Sequence, residues 1–211
     1  FAGVLGETLF SVWWRLFYKG KFWTYRVETL IHSYTSLLNF IPWGMGGFLY
    51  LNVISRFAAN DNLIRTAIAS ASLPFYIIFC LFFLIGLSVQ LLAWPIIVRK
   101  KPINFRFETV TPANFLFFCL PLALSIAAVT ILYGALMLKL ALMFAVIASL
   151  AEYIFGKATE FFISKKLWVY NYLAFDNGHF TPLSLMPFAL GGFYFWGIAL
   201  FFQEVFKLFL F

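Results

Sequence analysis

The chain has 211 residues, of which 64% are hydrophobic and 11% are charged. A soluble domain is nearer to half apolar and about a quarter charged, so this composition excludes an ordinary soluble protein. The net charge of +7 does not indicate nucleic-acid binding, because basic loops on one side of a membrane explain it. The apolar runs are continuous and do not alternate, which favours spanning helices over a barrel. We therefore predict an all-α fold, a polytopic transmembrane helical bundle.

About six apolar stretches approach the roughly 20 residues that a helix needs to cross a hydrocarbon core of about 30 Å. The predicted spans are Phe1–Tyr18 and, with approximate boundaries, Leu37–Ile54, Ala71–Val98, Asn114–Leu138, Leu140–Ile163 and Leu183–Phe202. Pro42 in the second span and Pro121 in the fourth predict kinks or close helix contacts. Lys139 is expected at a tight turn between the fourth and fifth spans. By analogy with the fifth span, the first is expected to begin upstream of Phe1.

The loops after the first, third and fifth spans are predicted to face the cytoplasm, because they are the more basic ones. They contain nine lysines and arginines, namely Lys19, Lys21, Arg26, Arg99, Lys100, Lys101, Arg106, Lys165 and Lys166. The opposite side contains four, namely Arg56, Arg65, Lys139 and Lys207. We place the protein in a bacterial inner membrane. Its expected partners are membrane lipids and other transmembrane subunits, and no nucleic acid.

The sequence leaves the cofactor unknown. It contains no Walker motif, no dinucleotide-binding glycine pattern and no G-x-S-x-G or H-E-x-x-H motif. Cys80 and Cys119 lie inside apolar runs, so we expect small buried hydrophobes rather than a disulfide or a metal site.

An internal repeat is predicted when the chain is shifted by 145 residues. The fifty positions from Leu5 to Ile54 then have twelve identities, including glutamate, tryptophan, tyrosine and a glycine pair. The matched pairs are Leu5/Leu150, Glu7/Glu152, Phe10/Phe155, Phe17/Phe162, Lys21/Lys166, Trp23/Trp168, Tyr25/Tyr170, Leu38/Leu183, Pro42/Pro187, Gly46/Gly191, Gly47/Gly192 and Phe48/Phe193. We predict one domain with repeats at about 1–60 and about 140–205 and linking spans at about 66–138. Four crossings separate the copies, so they should share one orientation about an axis along the membrane normal.

The second repeat resembles a known family. Its residues Glu152, Tyr153, Gly156, Glu160, Trp168, Tyr170, Asn177 and Gly178 are similar to the L-E-Y-x-x-G…E…W-x-Y…N-G pattern of CmpB-type ABC-transporter permeases. The first repeat is similar in its membrane glutamate, in its G-K-F at residues 20–22, and in Pro42, Trp43, Gly44, Met45 and Gly46, which are similar to the family's P-x-Y-G-x-G. It departs from the family in a longer interval between Glu7 and Gly20, and W-V-Y stands where the family has W-D-Y. The resemblance implies a permease but no substrate.

A weaker likeness is to the lycopene cyclase domain, which is also duplicated. This chain lacks the P-x-E-E acids of that domain, because Pro42 and Pro187 are followed by Trp-Gly and Phe-Ala.

The glutamates Glu7 and Glu152 are the main candidate site residues, because acids inside a membrane segment are costly and usually functional. They could be paired carboxylates that bind a cation or relay protons. Alternatively, each hydrogen-bonds across the repeat interface to a tyrosine or tryptophan of the other copy. Glu160 is a further candidate, although an ion pair with Lys157 at a spacing of three is its simplest role.

The loops supply the other candidates. His179 could act as a base that Asp176 orients, or both could join a metal site, with His32 in the loop after the first span as a further candidate. Trp23, Tyr25, Trp168 and Tyr170 could contact a ligand or anchor the chain at the membrane interface.

Three functions remain open on sequence alone. They are a small permease or carrier with a polar site between the repeats, a non-catalytic subunit of a larger membrane complex, and a membrane enzyme that modifies a lipid or isoprenoid.

Overall fold

The computed structural model describes residues 2–28, 35–60, 73–102 and 104–209. In these ranges the chain forms six helices and one two-stranded sheet. The elements, in chain order, are α1 (Ala2–Phe17), β1 (Trp23–Tyr25), α2 (Phe40–Asn60), α3 (Leu73–Ile97), α4 (Pro112–Tyr133), α5 (Leu136–Ile163), β2 (Trp168–Tyr170) and α6 (Leu185–Phe209). The predicted helical bundle is confirmed, and the small sheet is an addition to the all-α prediction.

Four helices in the described ranges are long and apolar enough to cross a membrane. The candidate spans are Tyr76–Ile97, Pro112–Tyr133, Met137–Ile163 and Pro182–Ala199. Their length and composition fit an integral membrane protein. Helix α1 has 16 residues, and α2 contributes the shorter apolar stretch Phe40–Leu49. The total of six spans therefore stays a prediction.

The prediction of a tight turn at Lys139 was wrong. The turn between α4 and α5 is at Gly134, whose φ of +97° favours glycine, and Lys139 lies inside α5. Pro42 is the third residue of α2 and Pro187 is the third residue of α6. Proline is tolerated in a first helical turn, where its missing N–H would have no intrahelical acceptor.

Helix α6 is the centre of the bundle, and it contacts each of the other five helices. Two of its glycines allow this close packing. A Cβ at Gly192 would lie 2.2 Å from the Phe144 ring, and one at Gly197 would lie 1.9 Å from the Tyr76 ring. An added methyl group would overlap the neighbouring ring at both positions, so these glycines allow the helices to pack closely.

Helices α3 and α4 pair closely around Pro121, where a Cβ at Gly86 would lie 2.6 Å from the proline Cα. Proline has no N–H, so the carbonyl of Phe117 loses its intrahelical donor. The fully buried Gln90 of α3 replaces that donor, with its Nε2 2.8 Å from the Phe117 oxygen. Gln90 also accepts from the Trp13 indole at 3.0 Å. One glutamine therefore joins α1, α3 and α4.

Candidate functional site

The strands β1 and β2 form an antiparallel ribbon between the two halves of the chain. Trp23 pairs with Tyr170, Thr24 pairs with Val169, and Tyr25 pairs with Trp168. Under the shift of 145 residues, β1 corresponds to β2 residue by residue. The pairing is therefore self-complementary, as it is between two copies related by a local two-fold axis.

The backbone bonds that flank the ribbon follow the same relation. Arg26 N donates to Leu167 O at 2.8 Å, and Asn171 N donates to Phe22 O at 3.0 Å. These two bonds exchange under the shift of 145 residues. The 3₁₀ turns Leu37–Asn39 and Pro182–Ser184 also correspond under the shift of 145 residues, and they directly precede α2 and α6. The two halves thus have matching local structure on both sides of the ribbon.

Each half places a tyrosine hydroxyl on its membrane glutamate. The Tyr25 hydroxyl donates to Glu7, and the Tyr170 hydroxyl donates to Glu152 at 2.5 Å. Burial, followed by the Glu152 carboxylate, raises the pKa of Tyr170 well above its ordinary value, so this hydroxyl stays protonated and can donate. Both bonds lie within one half. The alternative in which each glutamate bonds to the other copy is therefore wrong.

Glu7 is only 5% exposed, and it is surrounded by donors besides Tyr25. Thr35 Oγ1 donates at 2.7 Å, Asn39 Nδ2 at 3.0 Å, and Trp43 Nε1 at 3.2 Å, all to Oε2. Hydrogen bonds to a carboxylate are stronger than those between neutral groups. Glu7 therefore joins α1 to β1, to the segment before α2, and to α2 itself.

Glu152 lacks this set of donors, although it is the counterpart of Glu7. The positions that match Thr35, Asn39 and Trp43 are Phe180, Ser184 and Phe188 in the second half. Two of these are phenylalanines, and the Ser184 hydroxyl donates to the Thr181 carbonyl at 2.7 Å. In the described part of the chain, Tyr170 is the one hydrogen-bond donor to Glu152.

Both carboxylates line one cavity of about 900 Å³ between α2 and α5. Its lining residues are Glu7, Tyr25, Asn39, Pro42, Trp43, Gly44, Met45, Gly46, Phe48, Leu49, Asn52, Ala148, Ala151, Glu152, Phe155, Trp168 and Phe188. The lining that the structure describes is thus largely apolar and aromatic, with two acids and no basic side chain. A volume of this size is in the range of roughly 300–1,000 Å³ found for small-molecule sites.

The cavity wall formed by α2 reaches the outer surface of the bundle. Met45 and Phe48 line the cavity and are 61% and 72% exposed. A Cβ at Gly44 or Gly46 would meet nothing within 4 Å. Among the described residues, the cavity is therefore open at the outer, apolar surface of α2.

The loop-side candidates form a separate cluster, away from this cavity. Asp176 accepts from Tyr153 at 2.9 Å and pairs with Lys157 at 3.0 Å, and the Lys157 ammonium holds the pKa of Asp176 below its ordinary value. His179 contacts Glu160 at 2.5 Å instead of Asp176. The predicted base-and-acid pair is therefore wrong, and so is the predicted Lys157–Glu160 pair.

No group of three or more histidine, cysteine or acidic side chains in the described ranges could hold a metal ion. His32 lies outside those ranges.

The interface-anchor interpretation is wrong for three of the four W-x-Y aromatics. Tyr25, Trp168 and Tyr170 are buried, and Tyr25 and Trp168 line the cavity. Trp23 is partly buried and stacks on Phe10, with ring centroids 5.6 Å apart.

Sequence reasoning missed Thr35, Asn39 and Trp43 as hydrogen-bond donors to Glu7. Asn39 and Trp43 are one turn apart at the start of α2, so both can reach one point beside the helix. A polar residue at the beginning of an apolar helix was the available signal. This signal can be interpreted only once the structure shows that Glu7 faces Asn39.

Comparisons with family models, with curated proteins and with solved structures find no match.

Proposed function

We propose that the protein is a small permease or carrier whose site is the cavity that contains Glu7 and Glu152. The observation that carries this proposal is that two membrane acids from different halves of the chain line one cavity. An ionisable group inside a membrane protein is by default a candidate for a substrate, ion or proton pathway. Two carboxylates that face one cavity also favour the uptake of a proton or a cation.

We propose a division of roles between the acids. Glu7 is held by four donor side chains and serves as the fixed, structural acid. Glu152 has the tyrosine alone among the described donors and serves as the exchangeable acid. Exchange requires a carboxylate whose partners do not already saturate its oxygens.

The predicted duplication is part of this proposal. Repeats at about 1–60 and about 140–205 are supported by the self-complementary ribbon, by the exchanged bonds at its ends and by the matched glutamate–tyrosine bonds. Carriers built from parallel repeats place their site where the repeats meet, close to the two-fold axis. The cavity is in that position, because both halves line it.

The resemblance to CmpB-type permeases stays a proposal. It rests on the sequence pattern alone. A Cβ at Gly156 would lie 3.2 Å from the His179 ring, and Glu160 contacts the same ring. Gly156 and Glu160 are thus neighbours of His179, which is not itself part of the pattern. The bacterial inner membrane and cytoplasmic odd-numbered loops rest on the charge asymmetry.

A second candidate function is a non-catalytic subunit of a larger membrane complex. The supporting observation is an exposed apolar stripe on α1, formed by Leu5, Leu9, Val12 and Leu16. Their spacing of four, three and four residues places them on one helix face, which suits a partner helix as well as lipid.

Labelling of an introduced thiol distinguishes the two candidates without knowledge of the substrate. Ala151 lines the cavity next to Glu152, and Cys80 and Cys119 can be replaced by alanine to remove background labelling. In vesicles of known orientation, a carrier with alternating access should expose Ala151→Cys to membrane-impermeant thiol reagents added from either side. Leu9→Cys on the outer stripe of α1 is the control, and it should not react with reagent added from either side of the membrane. Labelling of Ala151→Cys from one side at most would contradict the carrier proposal.

A further inference from the structure

We infer that the carrier's ligand is a lipophilic organic cation, held by Glu152 and by the aromatic walls of the cavity. This inference rests on the proposed carrier function, and it adds the chemical class of the ligand.

The charge of the cavity gives the first argument. Glu7 and Glu152 bring two acids to the lining, and no lysine, arginine or histidine in the described ranges lines it. An isolated carboxylate inside a bilayer is unfavourable, so it takes up a proton or pairs with a positive group. The complementary ligand is therefore positively charged.

The size and composition of the lining distinguish an organic from an inorganic cation. A hard metal cation needs about six oxygen ligands at short distance, and in the described ranges no three histidine, cysteine or acidic side chains come together to hold one. Instead, the two acids share a cavity of about 900 Å³ with four aromatic walls, from Trp43, Phe155, Trp168 and Phe188. Aromatic faces attract organic cations through their quadrupoles, and they pack against apolar substituents at the same time.

The route into the cavity indicates a ligand that partitions into lipid. The opening is bordered by Met45 and Phe48, which are exposed on the outer surface of the bundle, and Gly44 and Gly46 leave space beside them. A ligand dissolved in the bilayer can reach the cavity through this side. A strongly hydrated ion cannot enter by this route, because it would have to lose its water of hydration in hydrocarbon.

The unequal hydrogen bonding of the acids assigns the contact to Glu152. Glu7 already accepts from Tyr25, Thr35, Asn39 and Trp43. Glu152 Oε2 accepts from Tyr170, which leaves Oε1 of this carboxylate for a bound cation. Phe155 and Trp168 stack on each other with centroids 6.2 Å apart, and both line the cavity together with Glu152.

Binding of tetraphenylphosphonium to the purified, detergent-solubilised protein tests the inference. Equilibrium dialysis should show saturable binding of this cation. Tetraphenylborate has nearly the same shape but a negative charge, and it should not bind to the same site. Glu152→Gln should weaken cation binding at least tenfold. Glu160→Gln is the matched control on the same helix, because Glu160 contacts His179 away from the cavity, and it should bind as the parent does.

A protection experiment keeps the test independent of the folding of Glu152→Gln. Tetraphenylphosphonium should slow the labelling of Ala151→Cys, and tetraphenylborate should not. Equal binding of the two ions, unchanged affinity in a folded Glu152→Gln variant, or absence of protection would each overturn the cation assignment.

Failure of the inference and failure of the proposed function have different signatures. Labelling of Ala151→Cys from both sides without cation binding would reject the ligand class and retain the carrier. Cation binding with labelling from one side only would reject the carrier, and with it the inference that the cation is transported.

Discussion

Replacing Glu7 with leucine is expected to lower the free energy of unfolding by about 3–5 kcal/mol, which is exceptional for a single residue. The substitution removes the common acceptor of Tyr25, Thr35, Asn39 and Trp43. Each buried donor that loses its partner costs roughly 1–3 kcal/mol. Relief from burying a charge offsets part of this loss, but four donors outweigh it. Thermal unfolding in detergent, monitored by circular dichroism or size exclusion, measures the effect.

The matched control is Glu152→Leu at the corresponding position of the second half. Here the described donor is Tyr170 alone, so we expect a loss of about 1–2 kcal/mol. The two acids should therefore reverse their order between assays, with Glu7 dominant in stability and Glu152 dominant in cation binding. Equal destabilisation by both substitutions would show that the division of roles is wrong.

Replacing Gln90 with leucine is expected to cost about 2–4 kcal/mol, because the change leaves buried polar groups unpaired inside the bundle. The carbonyl of Phe117 loses the donor that stands in for the missing N–H of Pro121, and the Trp13 indole loses its acceptor. Ser88→Leu on the same helix is the control. Ser88 is exposed and bonds only its own helix at Leu84 O, so little change is expected.

A double-mutant cycle with Pro121→Ala tests the stated cause. Alanine restores a backbone N–H to which the Phe117 carbonyl can bond, so Gln90→Leu should cost at least about 1 kcal/mol less in that background. Additive effects of Gln90→Leu and Pro121→Ala would rule out the compensation.

The main candidate residues could be predicted from sequence because their chemistry is unusual for their surroundings. Glu7 and Glu152 are acids in apolar helices, and that mismatch marks them wherever the helices lie. The role of the W-x-Y aromatics could not be predicted in the same way. The sequence is compatible with a membrane interface, but Tyr25 and Tyr170 bond to glutamates 18 residues earlier in the chain.

The helix boundaries were likewise only partly predictable from the sequence. The apolar runs predict most of the helices, because run length decides whether a segment can cross the bilayer. A charged residue does not by itself end a helix, so Lys139 does not mark the turn. The backbone turns at Gly134, since only glycine adopts a φ of +97° without strain.

The sequence by itself determined that this is a helical membrane protein with a membrane acid in each half, since composition, run length and charge are local properties. Only the tertiary structure decided that the two W-x-Y segments pair as a ribbon, because that contact joins residues about 145 positions apart. It also decided which of the two glutamates has its carboxylate oxygens occupied by hydrogen-bond donors. The donors to Glu7 are a threonine, an asparagine and a tryptophan that form no motif, and they act together only because the chain folds back from α1 to the start of α2. Hydrogen bonding depends on distance in space, which spacing along the chain does not give.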